Sequence, residues 1–155
     1  MAVRRIVEQG DEILRKRSFE VTDFGEKTHQ LLDDMYDTLV KADGAGLAAV
    51  QVGVLRRIFL VINGESVKDG VIEFINPEII SESGSQTGVE GCLSVPGVQG
   101  DVTRPYKVTV KYQDRHGDWY KLKAEGFTAK AICHENDPLD GVLYIDKAKN
   151  VKASR

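Results

Sequence analysis

Val108-Thr109-Val110-Lys111-Tyr112, then Asp114-Arg115-His116-Gly117, then Trp119-Tyr120-Lys121-Leu122-Lys123, and last Phe127 to Glu135, form the stretch whose reading decides the fold. Val108, Val110 and Tyr112 alternate with polar residues, the period of a strand with one buried face. Asp-Arg-His-Gly carries turn chemistry and Trp119, Lys121 and Lys123 continue a second strand, so the pair predicts a hairpin. Phe127 to Glu135 is rich in helix formers and precedes Pro138, which predicts a helix. Upstream, Arg57-Ile58-Phe59-Leu60-Val61-Ile62 is a short β-branched apolar run typical of a buried strand, and Ile72 to Ile80 continues in that manner around Asn76-Pro77. Leu31, Leu32, Met35, Tyr36, Leu39 and Val40 recur at helical spacing, predicting an amphipathic helix over about residues 25–42 with Thr22 or Asp23 as its cap. Gly44 to Gly53 follows it as a loop, or a loop entering a strand. Short strands with a late helix and no repeating strand-helix unit predict an α+β fold rather than a doubly wound parallel sheet.

The 155 residues suit one domain, with 41% hydrophobic and 29% charged residues, an ordinary soluble balance. A net charge of −3 excludes a chain-wide electrostatic grip on DNA. No apolar run follows Arg4 and Arg5 as a secretory signal would require, and the longest apolar stretch, Ile58 to Ile62, falls far short of a membrane span. The expected compartment is the cytoplasm. There, two cysteines fit a core, ligand or nucleophile role better than a disulfide. Cys92, Cys133, His29, His116 and His134 are the whole supply of soft metal ligands.

His134-Glu135 is the start of a His-Glu-x-x-His pattern, which binds metal because residues i and i+4 share a helical face. The fifth position is Pro138. Alone, the pair more often marks a half-buried histidine beside a surface glutamate. Glu90-Gly91-Cys92-Leu93-Ser94-Val95-Pro96 sets a cysteine where the backbone can turn and present a thiolate and an N–H; a core cysteine is the alternative.

Together, Gly44 to Gly53, Glu90 to Pro96 and Cys133 to Gly141 resemble, in order and spacing, the three signature motifs of the peptide deformylase family. Gly10 to Arg15 and Val102-Thr103-Arg104-Pro105 look like its flanking segments. The resemblance implies small, mostly antiparallel sheets around a central helix carrying the His-Glu motif, plus the N-terminal amphipathic helix. It implies that Cys92 and His134 bind one divalent metal, Fe(II) or a substitute zinc, nickel or cobalt, and that Glu135 is the general acid and base. Gln51 and the backbone N–H of Leu93 would hold the oxyanion, and Ala45, Gly46, Glu90 and Phe127 would lie beside the substrate. The implied reaction removes the N-formyl group from the N-terminal methionine of new polypeptides and releases formate.

Pro138 departs from that pattern. It has no metal-binding atom, and its ring clashes with the carbonyl of His134 at a cost of about 3 kcal/mol in a helix interior. Asp137 or a reoriented Cys133 are the candidates to replace the lost ligand. Lesser departures are Val50, Cys133 and Asn136. The alternatives to the enzyme are a catalytically silent deformylase-like protein that keeps the peptide groove, and a generic zinc peptidase, which would lack its second histidine. Residues 1–146 read as the domain and 147–155, with Lys147, Lys149, Lys152 and Arg155, as a frayed basic tail, with ribosomal RNA as its candidate partner.

Overall fold

The computed structural model describes residues 2–154. The elements run α1 (Glu26–Ala42), β1 (Gly46–Ala48), β2 (Ile58–Ile62), β3 (Val71–Ser83), β4 (Gln86–Cys92), β5 (Val95–Arg104), β6 (Lys107–Gln113), β7 (Trp119–Glu125), α2 (Gly126–Asn136) and β8 (Lys149–Ala153), with short 3-10 turns between. Two antiparallel sheets form, one in the order β1-β2-β3-β6-β7 and the other β4-β5-β8. The predicted hairpin is β6-β7, paired from Lys107 with Glu125 to Gln113 with Trp119.

The continuous apolar run of β2 has a direct cause: both of its faces are covered. Phe59 and Val61 join the core with Phe74, Val110 and Ile132 of α2, whereas Ile58, Leu60 and Ile62 pack with Leu32, Met35 and Leu39 of α1. The α2 helix is thereby held against β1 and β2, the strands that lead into the Gly44–Gly53 segment. β3 accommodates Asn76-Pro77 as a bulge, the usual place for proline in a strand. Asn76 takes a φ of 50° there, and its side chain bonds both the N–H and the C=O of Val21.

Three expectations are corrected. Gly25, not Thr22 or Asp23, occupies the N-cap of α1; Asp23 instead accepts from the Gly25 N–H at 2.8 Å. Tyr36 and Val40 of the expected apolar stripe are exposed, because the face that meets β2 is narrower and α1 also buries Asp34 and Thr38 against the N-terminal segment. The C-terminal segment is not frayed: Lys149–Ala153 pairs with β5, Val98 opposite Ala153 and Asp101 opposite Lys149. The free edge of β5 supplies the backbone partners that composition does not reveal, and Asn150 Nδ2 donates to Asp101 at 3.0 Å. Arg155, counted with that tail, lies outside the described residues.

Pro138 acts where expected. α2 stops at Asn136, and the chain tightens into a 3-10 turn over Asp137–Asp140 that ends at Gly141, whose φ is 77°. A Cβ there would come within 2.5 Å of the Arg15 carbonyl, so the turn requires glycine twice over.

Candidate active site

A cavity of about 480 Å³ lies between the β4-β5 hairpin, the Gly44–Gly46 entry to β1 and one face of α2. Its helical wall is Phe127, Lys130, Ala131 and His134, spaced i, i+3, i+4 and i+7 as one face demands. The opposite wall is the end of the hairpin, where Cys92 pairs with Val95 and Leu93-Ser94 make the turn.

Gln51 sits on the 3-10 turn Ala49–Val52 and is buried. Its Oε1 accepts from the Ala48 N–H at 2.9 Å, which fixes the amide so that Nε2 faces Ser94 Oγ at 3.1 Å and Cys92 Sγ at 3.6 Å. His134, on the last turn of α2, stacks on Tyr144 and has Nδ1 2.7 Å from Glu90 Oε1. With Nδ1–H donated to that carboxylate, Nε2 is the nitrogen left for other work.

Glu90 is tied down by bonds at both carboxylate oxygens. It borders the cavity, but its carboxylate turns inward and is held bidentately by Arg104, Nε to Oε2 at 3.0 Å and Nη2 to Oε1 at 2.9 Å, as well as by His134. It therefore positions the imidazole. Burial would raise its pKa, but the bonds and charges of His134 and Arg104 outweigh burial and hold it at about 2. The same contact, with the Cys92 side chain on the other side, raises His134 to about 10 against its own burial. Arg104, which the sequence places only in a flanking segment, is the keystone; it lies opposite Gln86 on β4, and its guanidinium reaches along the strand pair to Glu90, a contact that no local pattern announces.

Glu135 is buried, and its Oε1 finds no hydrogen-bond partner among the described residues. Burial pushes its pKa up to about 7, with the positive His134 pulling the other way. The carboxylate lies so close to β1 that a Cβ on Gly46 would stand 2.8 Å from both its Cγ and its Oε2. Gly46 is thus needed for close approach, beyond lining the cavity with Ala45.

The metal that the family motif implies needs more donors than this site supplies. Cys92 and His134 adjoin each other, but the third ligand position is Pro138, buried and without a donor atom. Neither candidate replacement turns inward. Asp137 accepts from Arg104 Nη1 at 2.7 Å and pairs with Lys147 at 3.0 Å, and Cys133 lies in the core with its thiol pushed up to about 11 by burial. His29 contacts Arg115 and His116 on α1 and the β6-β7 turn. Among the described residues no three His, Cys, Asp or Glu side chains are grouped to hold a metal ion. A catalytic centre uses three protein ligands and an open position. Two donors do not fit it.

A buried carboxylate, an oriented amide and a Cys-His pair on one cavity suit a hydrolase acting on an amide. The comparisons give the particular family. The family model for polypeptide deformylase matches residues 3–154. The peptide deformylase of Caldicellulosiruptor bescii is 55% identical over 147 residues, covering 95% of this chain and 86% of the relative, and peptide deformylase 1 of Bacillus subtilis is 49% identical, covering 95% and 91%. The crystal structure of a peptide deformylase from Legionella pneumophila superposes with a TM-score of 0.90 at 42% identity, covering 96% of this chain and 88% of the other; that from Thermotoga maritima gives 0.90 at 37%, covering 96% and 99%. The chain belongs to the polypeptide deformylase family, metal-dependent hydrolases that remove the N-formyl group from nascent polypeptides. This favours the enzyme over the silent groove and the generic zinc peptidase. Among the described residues no helix is long and apolar enough to cross a membrane.

Proposed function

We propose that the cavity receives the N-formyl-Met end of a new polypeptide in the cytoplasm, with Glu135 as the proton carrier of the hydrolysis. The observation that carries this reading is the unpartnered Glu135 Oε1, buried in a cavity wall that it shares with Gln51 and Cys92. Water adds to the formyl carbon, Glu135 takes the proton released, and the C–N bond breaks as that proton passes to the leaving amine, giving formate and a free N-terminus. Gln51 Nε2 and the Leu93 N–H supply the donors for the oxyanion. A carboxylate with a pKa near neutral suits both directions of transfer. Ala45, Gly46 and Phe127 contribute the apolar wall for the methionine side chain. The Cys92-His134 pair is where a divalent metal, iron or a substitute, would be held, and it falls one protein donor short of a catalytic centre.

Formate release from a formyl-Met tripeptide, with the acetyl-Met tripeptide as control, tests the reading. Formate is expected from the first only. No formate from either the unmodified chain or its Pro138→His variant would overturn it.

The exposed Lys149 and Lys152 on β8 supply the cationic edge for the proposed ribosome contact. Replacing both by glutamate is expected to abolish co-sedimentation with ribosomes at low salt; unchanged co-sedimentation would remove the proposal.

A further inference from the structure

Lys130 stands one helical turn before His134, on the same face of α2 and on the wall of the cavity. It is the only lysine or arginine among the described cavity-lining residues. Its Nζ donates to the Val89 carbonyl of β4 at 2.9 Å, and among the described residues no carboxylate pairs with it. The ammonium has a seat: Gly88 has no side chain, and a Cβ built there would stand 3.3 Å from Nζ. One neutral carbonyl satisfies one of three N–H donors, so a full positive charge with donors to spare rims a cavity that is otherwise mainly apolar.

The distance fits a side chain just beyond the methionine. One turn of α2 spans about 5.4 Å, and an extended peptide advances about 3.3–3.6 Å per residue, so Lys130, whose Nζ is drawn to the β4 rim at Val89 while Phe127 walls the methionine, stands one or two peptide residues from His134. β4 is an edge strand of its sheet, along which an emerging chain can run extended. We infer that Lys130 is a specificity-determining residue that favours formyl-Met peptides with an acidic side chain at the residue or two after the methionine. The inference rests on the peptide-binding reading above and adds a substrate class to it. A partly exposed ion pair of this kind gives a preference of roughly two- to fivefold, screened by salt.

The test measures equilibrium binding of formyl-Met-Glu-Ala and formyl-Met-Lys-Ala amides to the metal-free full chain by calorimetry, so that it does not depend on turnover. The acidic peptide is expected to bind the more tightly at low salt, with the ratio falling towards one in high salt and in Lys130→Met, and inverting in Lys130→Glu. An unchanged ratio in Lys130→Glu, or no preference in the unmodified chain, would overturn the inference. If neither peptide binds at all, the peptide-binding reading fails first; if both bind equally, only the role of Lys130 fails.

Discussion

Pro138→His is expected to raise divalent-metal affinity by well over 100-fold and to raise formate release with it. Removing an outer partner of a ligand costs roughly 10- to 100-fold, and position 138 concerns a ligand itself. The variant regains two things at once: an imidazole one turn after His134, on the same helical face, and the backbone N–H that proline denies to the His134 carbonyl. The surroundings are ready for it, since His134 is already oriented by Glu90 and Glu90 by Arg104. The measurement is competition for Zn²⁺ against a chromophoric chelator, read beside formate release. Equal affinities in the two proteins would show that position 138 does not limit the site.

The second large effect is at Glu135. Glu135→Gln keeps the size of the side chain and removes the proton carrier, so formate release is expected to fall by about 10²- to 10⁴-fold. The loss should appear in Pro138→His as well, where higher turnover makes it easier to measure. Chelator competition separates this from a ligand role: the glutamine variant should hold metal within a few-fold of its parent, because Glu135 acts on the proton and not on the metal. A loss below tenfold would assign the proton transfer to another group.

Much of this was legible in the sequence for reasons that are local. The β6-β7 hairpin follows from alternation around a turn-forming tetrapeptide, β2 from a run that only two covered faces can explain, and the stop in α2 from the missing N–H of Pro138. The pairing of Cys92 with His134 was reachable only through three separated motifs taken together. What escaped is what depends on register. Glu90 lines the cavity as expected, but its hold by Arg104 is not a direct strand pair: Glu90 lies opposite Gly100 and Arg104 opposite Gln86, and only the long guanidinium spans that offset to the carboxylate. The polar segment Lys149–Ala153 has little of its own to specify a strand and becomes one because β5 offers an open edge. Asp137, a candidate replacement ligand by proximity in sequence, is drawn to Arg104 and Lys147 instead.

The deformylase-family site of this chain lacks one metal donor. The most direct test of this is the metal content of the unmodified chain after addition of one equivalent of Co²⁺ and dialysis against metal-free buffer. Well under one cobalt per chain is expected. One cobalt retained per chain would contradict it, and would show that a third donor reaches the Cys92-His134 pair.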